Sequence, residues 1–225
     1  MTEQEWLAGT DPRKMLEFLR GKASNRKVRL FEVACCRRIW RLLPDDDCRQ
    51  AVLVAERFAD GNATDRERRA VRKLVATIKE SGDLASINAR GAAFDANEKT
   101  AGKKFGFGSA AVAAAEGRGA VNRYRRRLRA EEKAQAALLR CIFGNPFRPI
   151  CIAPAWQTPQ AVALAQAAYE QRERPAGTLD ATRLAVLADA LEDAGCDQAD
   201  LVAHLRGPGS HVRDCWAVDL ILGKQ

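Results

Sequence analysis

Histidine is almost missing from this 225-residue chain: there are two, His204 and His211, and both lie near the C-terminus. Any imidazole chemistry, whether proton transfer or metal ligation, therefore has only these two candidates. Long apolar runs are missing too. No stretch of eighteen apolar residues occurs, which excludes a membrane-spanning helix. No segment alternates convincingly between apolar and polar residues, so a substantial sheet is not expected. The opening residues MTEQEWLAGTDP are polar and acidic rather than basic and then apolar, unlike a secretory signal. Seven cysteines, an odd number at no regular spacing and without a C-x2-C pair, then predict reduced thiols in a cytoplasmic protein.

Charge is present in quantity but unevenly placed. The formal net charge is +8, yet residues 1–150 hold 31 Lys/Arg against 19 Asp/Glu, whereas residues 151–225 hold 6 against 10. The first part could meet a polyanion and the second would repel it.

Helical signals fill the rest. Asp11-Pro12, Ser24, the aspartates after Pro44, Thr64 with Glu67, and Thr158-Pro159 are helix starts, and Gly21, Gly61, Gly82 and Gly144 are stops. The run from Ser24 to about Leu43 is apolar on most sides and reads as a central core helix. Near the end, the pattern predicts helices over Asp180–Ala194, Asp197–Arg206 and His211–Leu222. The expected fold is all-α: one compact bundle or irregular array of about eight to ten helices over residues 1–225. In it an Ala/Gly/Arg-rich middle, 83–140, would join the basic part, and the acidic 151–225 would pack on that part.

Four groups with metal-ligating chemistry fall within twenty residues: Cys196, His204, His211 and Cys215. Their spacing, C-x7-H-x6-H-x3-C, could close on a zinc ion, with His211 and Cys215 one helical turn apart and the Gly207-Pro208-Gly209 turn returning His204 toward them. Packing explains the same residues more cheaply. Gly195 reads as the left-handed residue after a helix and Cys196 as the contact back to Leu191, while Cys215 sits on an apolar stripe. Asp219 falls on that stripe as well. A buried carboxylate needs a partner, for which a helix N-terminus, an arginine and the His211 ring are the candidates.

The densest basic stretch is Arg118, Arg123, Arg125, Arg126, Arg127 and Arg129, with Arg66, Arg69 and Lys73 as a possible extension. Nucleic acid or another polyanion is the sharp reading. A solvated helix face is the plain one, with Arg127 paired to Glu131 and Arg129 to Glu132. Gly106-Phe107-Gly108-Ser109-Ala110-Ala111 has the letters of a dinucleotide-binding turn, but no strand precedes it. With no catalytic constellation in view, no enzyme activity and no cofactor other than zinc are expected.

The segments E-W-L-x-x-T-D-P-x-x-M-L-E-F-L-R-G-K-A-S (Glu5 to Ser24), C-C-R-R-I-W (Cys35 to Trp40), G-N-P-F-R-P (Gly144 to Pro149), L-A-D-A-L-E-D-A-G-C (Leu187 to Cys196) and C-W-A-V-D-L-I-L-G-K (Cys215 to Lys224) resemble a recurrent family of uncharacterised bacterial proteins. Members often carry further cysteines where this chain has Val33 and Leu205. Leu187 to Arg206 also resembles a short helix-turn-helix module of bacterial proteins. These likenesses imply a discrete helical fold and no chemistry. The expected function is macromolecular binding without catalysis, a protein partner being favoured over nucleic acid, with structural zinc binding as the other alternative.

Overall fold

The capping residues read from the sequence start helices in the structure, a computed structural model that describes residues 1–78, 83–99 and 121–224. Eleven α-helices and no sheet occur among the described residues, so the fold is all-α. They are α1 (Glu3–Ala8), α2 (Pro12–Leu19), α3 (Asn25–Arg38), α4 (Asp46–Ala59), α5 (Asp65–Thr77), α6 (Leu84–Asp95), α7 (Val121–Phe143), α8 (Pro159–Glu170), α9 (Ala181–Asp193), α10 (Ala199–Arg206) and α11 (Trp216–Ile221). Asp11, Ser24, Asp45, Thr64, Asp83, Thr158 and Asp180 each accept a first-turn N–H, and Thr64 with Glu67 completes a reciprocal capping box. No helix among the described residues is long and apolar enough to cross a membrane. Gly82 and the Gly106 to Ala111 motif lie outside the described residues.

The chain divides into two compact units, residues 9–136 and residues 1–8 with 137–225, so α7 contributes to both. The division sharpens the charge asymmetry. Residues 9–136 carry 29 Lys/Arg against 17 Asp/Glu, and the other unit carries 8 against 12.

In the basic unit α3 is the core helix, with ten of its fourteen residues buried, and α4 and α6 pack against it. It ends at Arg38 rather than Leu43, because Trp40–Leu42 tightens into a 3-10 turn. Burial on so many sides takes charge inside with it. Arg37 pairs with Glu56 at 2.7 Å, both almost fully buried. Arg29 donates to the carbonyls of Ala96 at 2.6 Å and Glu98 at 2.7 Å, and Arg68 donates to that of Asn97. Two guanidiniums thus satisfy the carbonyl-rich end of α6, where the helix dipole favours positive charge.

In the other unit α9 packs on both α8 and α10, and α11 packs on α8. The buried residues of α8 are three alanines, Ala161, Ala165 and Ala168, with Tyr169, and α9 buries Leu184, Leu187 and Leu191. Fully buried Trp6 ties α1 to the end of α7: its Nε1 donates to the Gly144 carbonyl at 2.9 Å, and Arg140 donates to the Trp6 carbonyl at 3.0 Å. Gly144 has φ of +64°, and a Cβ there would stand 3.1 Å from the Trp216 ring, so glycine is required on both counts.

Glu56→Ala removes the carboxylate from a buried guanidinium, so we expect a loss of about 3–5 kcal/mol of unfolding free energy. Urea denaturation checks this, and a loss under about 1 kcal/mol would show that Arg37 is satisfied without its ion pair.

Candidate metal centre

Three of the four residues singled out by spacing come together, and the fourth is replaced. Cys141, His204, His211 and Cys215 each offer one ligand atom, and these atoms all lie within 4.8 Å of one another. His204 Nε2 is 3.2 Å from Cys215 Sγ, and His211 Nδ1 is 3.8 Å from that sulfur and 4.0 Å from Cys141 Sγ. A tetrahedral zinc ion with bonds of about 2.3 Å to sulfur and 2.0–2.1 Å to nitrogen requires S···N separations of about 3.6 Å. The observed separations bracket that value. All four residues belong to the unit of residues 1–8 and 137–225.

Cys196 is not part of the set, a correction to the spacing argument. Its N–H bonds the Leu191 carbonyl at 2.9 Å and the Gly195 N–H bonds that of Glu192 at 2.9 Å, with Gly195 at φ +80°. This pair of bonds is the Schellman ending of α9, which uses Cys196 as its apolar contact.

The last helix is shorter than its pattern suggested. Residues His211–Cys215 are not helical: Val212 bridges antiparallel to Thr178, the Leu179 N–H bonds the His211 carbonyl at 2.8 Å, and Asp214 takes φ of +75°. Aspartate is among the few residues that tolerate this conformation. A turn closed by Cys215 N–H on the Val212 carbonyl, at 3.0 Å, therefore brings His211 and Cys215 together in place of a shared helix face. His204 comes from the last turn of α10, just before Gly207, where a Cβ would press within 3.2 Å of two carbonyl oxygens. Cys141 comes from the last turn of α7.

Hydrogen bonding prepares these groups for a cation. His211 Nε2 lies 3.3 Å from the Gly207 carbonyl, which can only accept, so in the neutral ring the proton sits on Nε2 and the Nδ1 lone pair faces both sulfurs. Burial pushes the Cys215 thiol up, but hydrogen bonds from Cys141 and His204, and from His211 Nδ1 when that ring is protonated, outweigh it and hold the thiol well below its ordinary range. Cys141 moves oppositely, raised by its hydrogen bond to Cys215 and by burial. For His211, burial lowers the pKa, while Cys215 and the Gly207 carbonyl raise it by more. Cys215 has no exposed surface, which puts its sulfur out of direct reach of a substrate. Three thiols of the other unit differ: burial raises Cys35 and Cys36, and burial with a hydrogen bond to Asp45 raises Cys48 to about 12.

Asp219 is buried, as its place on the apolar stripe suggested, at 1% exposure. One partner was not among the candidates named from sequence: the Tyr169 hydroxyl donates to it at 2.6 Å and lies 3.4 Å from the Cys215 carbonyl. Burial, with Asp219 and Cys215 nearby, raises the Tyr169 hydroxyl well above its usual range. Tyr169 thus braces the backbone that carries Cys215. His204 and Trp216 also line a cavity of about 810 Å³ with Arg140 and Asn145, through which an ion could reach the partly exposed His204.

Of the basic residues singled out by sequence, Arg125, Arg126, Arg127 and Arg129 are exposed on α7, and Arg66, Arg69 and Lys73 are exposed on α5. Arg123 lies in α7, and Arg118 falls outside the described residues. The expected pairs within α7 do not form. Glu131 binds Arg38 at 2.8 Å and Glu132 meets Arg13 at 3.7 Å, because packing on neighbouring helices offers them other cations.

Tyr169→Phe removes a charge-assisted hydrogen bond inside this support, with an expected cost of about 1.5–3 kcal/mol in thermal or urea unfolding. A neutral outcome would mean that Asp219 is held by its other contacts. No protein-family model, curated protein or solved structure matches this chain.

Proposed function

We propose that the unit of residues 1–8 and 137–225 is a zinc-binding unit in which Cys141, His204, His211 and Cys215 hold one structural ion. The observation that carries this reading is the convergence of two sulfurs and two imidazole nitrogens, from three separate segments, with S···N separations near those of a tetrahedral centre. Four protein ligands leave no coordination position for a substrate, which favours a structural ion over a catalytic one. The oriented His211 supports it, since a ligating histidine characteristically donates its other N–H to a carbonyl. Joining the end of α7 to α10 and to the turn before α11, the ion would link segments that this small unit must otherwise hold by packing alone. Metal binding would then be folding free energy.

Protein purified without added metal should contain about one equivalent of zinc by elemental analysis. Cys141→Ser and Cys215→Ser should each lose most of it, and Cys196→Ser should keep it. Less than about a tenth of an equivalent in the wild type, or equal loss in Cys196→Ser, contradicts the assignment.

A further inference from the structure

We propose that the unit of residues 9–136 binds the phosphate backbone of nucleic acid through the exposed face of α7 and a basic pocket between α5 and the end of α6. The proposal is independent of the metal centre, whose residues all lie in the other unit.

Unneutralised charge on α7 is the first observation. Arg125, Arg126, Arg127, Arg129 and Lys133 are exposed, and none forms an ion pair with a described residue. The plain explanation for such a run is pairing along the helix with Glu131 and Glu132. Both carboxylates are engaged elsewhere, Glu131 buried at 6% exposure against Arg38 and Glu132 beside Arg13. At about 100° per residue, Arg125, Arg129, Lys133 and Arg126 fall within an arc of about 100°, over a rise of about 12 Å. Such a stripe can contact successive phosphates.

The second observation is a pocket of about 560 Å³ lined by Arg68, Arg69, Arg72, Lys73, Lys99 and Glu98, among others. The carboxylates that meet its cations do not balance them: Asp65, outside the lining, serves both Arg68 and Arg69, and Glu98 serves Arg72. Arg68 is 3% exposed and held by Asp65 and the Asn97 carbonyl, so its charge is fixed in place. Arg72 stacks 3.9 Å from the Phe94 ring centroid, and its buried Nε has no hydrogen-bond partner among the described residues. Preformed guanidiniums suit phosphate, which they meet in a planar, two-pronged geometry. The surplus is spread over two elements of a unit with 29 Lys/Arg and 17 Asp/Glu, which fits an extended polyanion better than a single small phosphate. The acidic excess that argued from sequence for a protein partner belongs to the other unit.

Fluorescence anisotropy of the full-length protein with labelled single-stranded RNA, single-stranded DNA and duplex DNA of about 20 nucleotides tests this between about 50 and 300 mM salt. At least one should bind, with log K falling against log salt at a slope of about −3 or steeper. The triple variant Arg125→Gln, Arg126→Gln, Arg129→Gln and the double variant Arg69→Gln, Lys73→Gln should each weaken binding about tenfold or more, with unfolding midpoints unchanged. Arg183→Gln, an exposed arginine of the other unit, should stay within about twofold of wild type. Absence of binding to all three nucleic acids, or binding untouched by the α7 variant, overturns the proposal. Equal affinity for polyglutamate would assign the surface to an acidic protein instead, and phosphate or ATP filling the pocket without oligonucleotide competition would assign it to a small ligand; either result overturns it too.

Discussion

The Cys215 sulfur is the point around which the unit of residues 1–8 and 137–225 is organised. Buried without exposed surface, it meets Cys141 from α7, His204 from α10 and His211 from the turn before it. Two buried thiols, a buried imidazole and a partly buried one are costly to desolvate unless something compensates them. Hydrogen bonds compensate in part by favouring the charged form of the Cys215 thiol. A divalent cation would compensate fully, since it neutralises both thiolates and takes both nitrogen lone pairs. The surrounding structure serves this convergence: the left-handed Asp214 aims Cys215 inward, the Gly207 carbonyl fixes the ring of His211, and Tyr169 with Asp219 braces the next helix.

The basic unit meets the same electrostatic problem by other means. Its buried arginines are satisfied by a carboxylate for Arg37, by the carbonyls ending α6 for Arg29, and by both for Arg68. Charge taken inside is matched there, whereas the exposed arginines of α7 form no ion pair among the described residues. The contrast separates arginines that hold the fold from those open to a ligand. Arg29, Arg37 and Arg68 belong to the first group; Arg125, Arg126, Arg127 and Arg129 belong to the second.

Local signals were legible in the sequence, and tertiary ones were not. Caps such as Asp11, Ser24 and Thr64, and the Schellman ending at Gly195 and Cys196, depend on residues within one turn of each other and could be read directly. Three of the four candidate ligands could be read because His204, His211 and Cys215 lie close in the chain. Cys141 could not. It stands 63 residues before His204, in a stripe with Leu138, Leu139 and Ile142 where a buried cysteine looks like any other apolar residue. Helical spacing also misassigned His211 to Cys215, because the bridge to Thr178 and the φ of Asp214 override periodicity. For the same reason Glu131 and Glu132 failed to pair within α7: helix-to-helix contacts offered better partners.

The central claim is that two sulfurs and two nitrogens from Cys141, His204, His211 and Cys215 form one tetrahedral centre. Zinc K-edge X-ray absorption of the purified protein reads that ligand set directly. The account predicts two sulfur neighbours at about 2.3 Å and two nitrogen neighbours at about 2.0–2.1 Å. A first shell of oxygen and nitrogen alone, or one with three or more sulfurs, would contradict it.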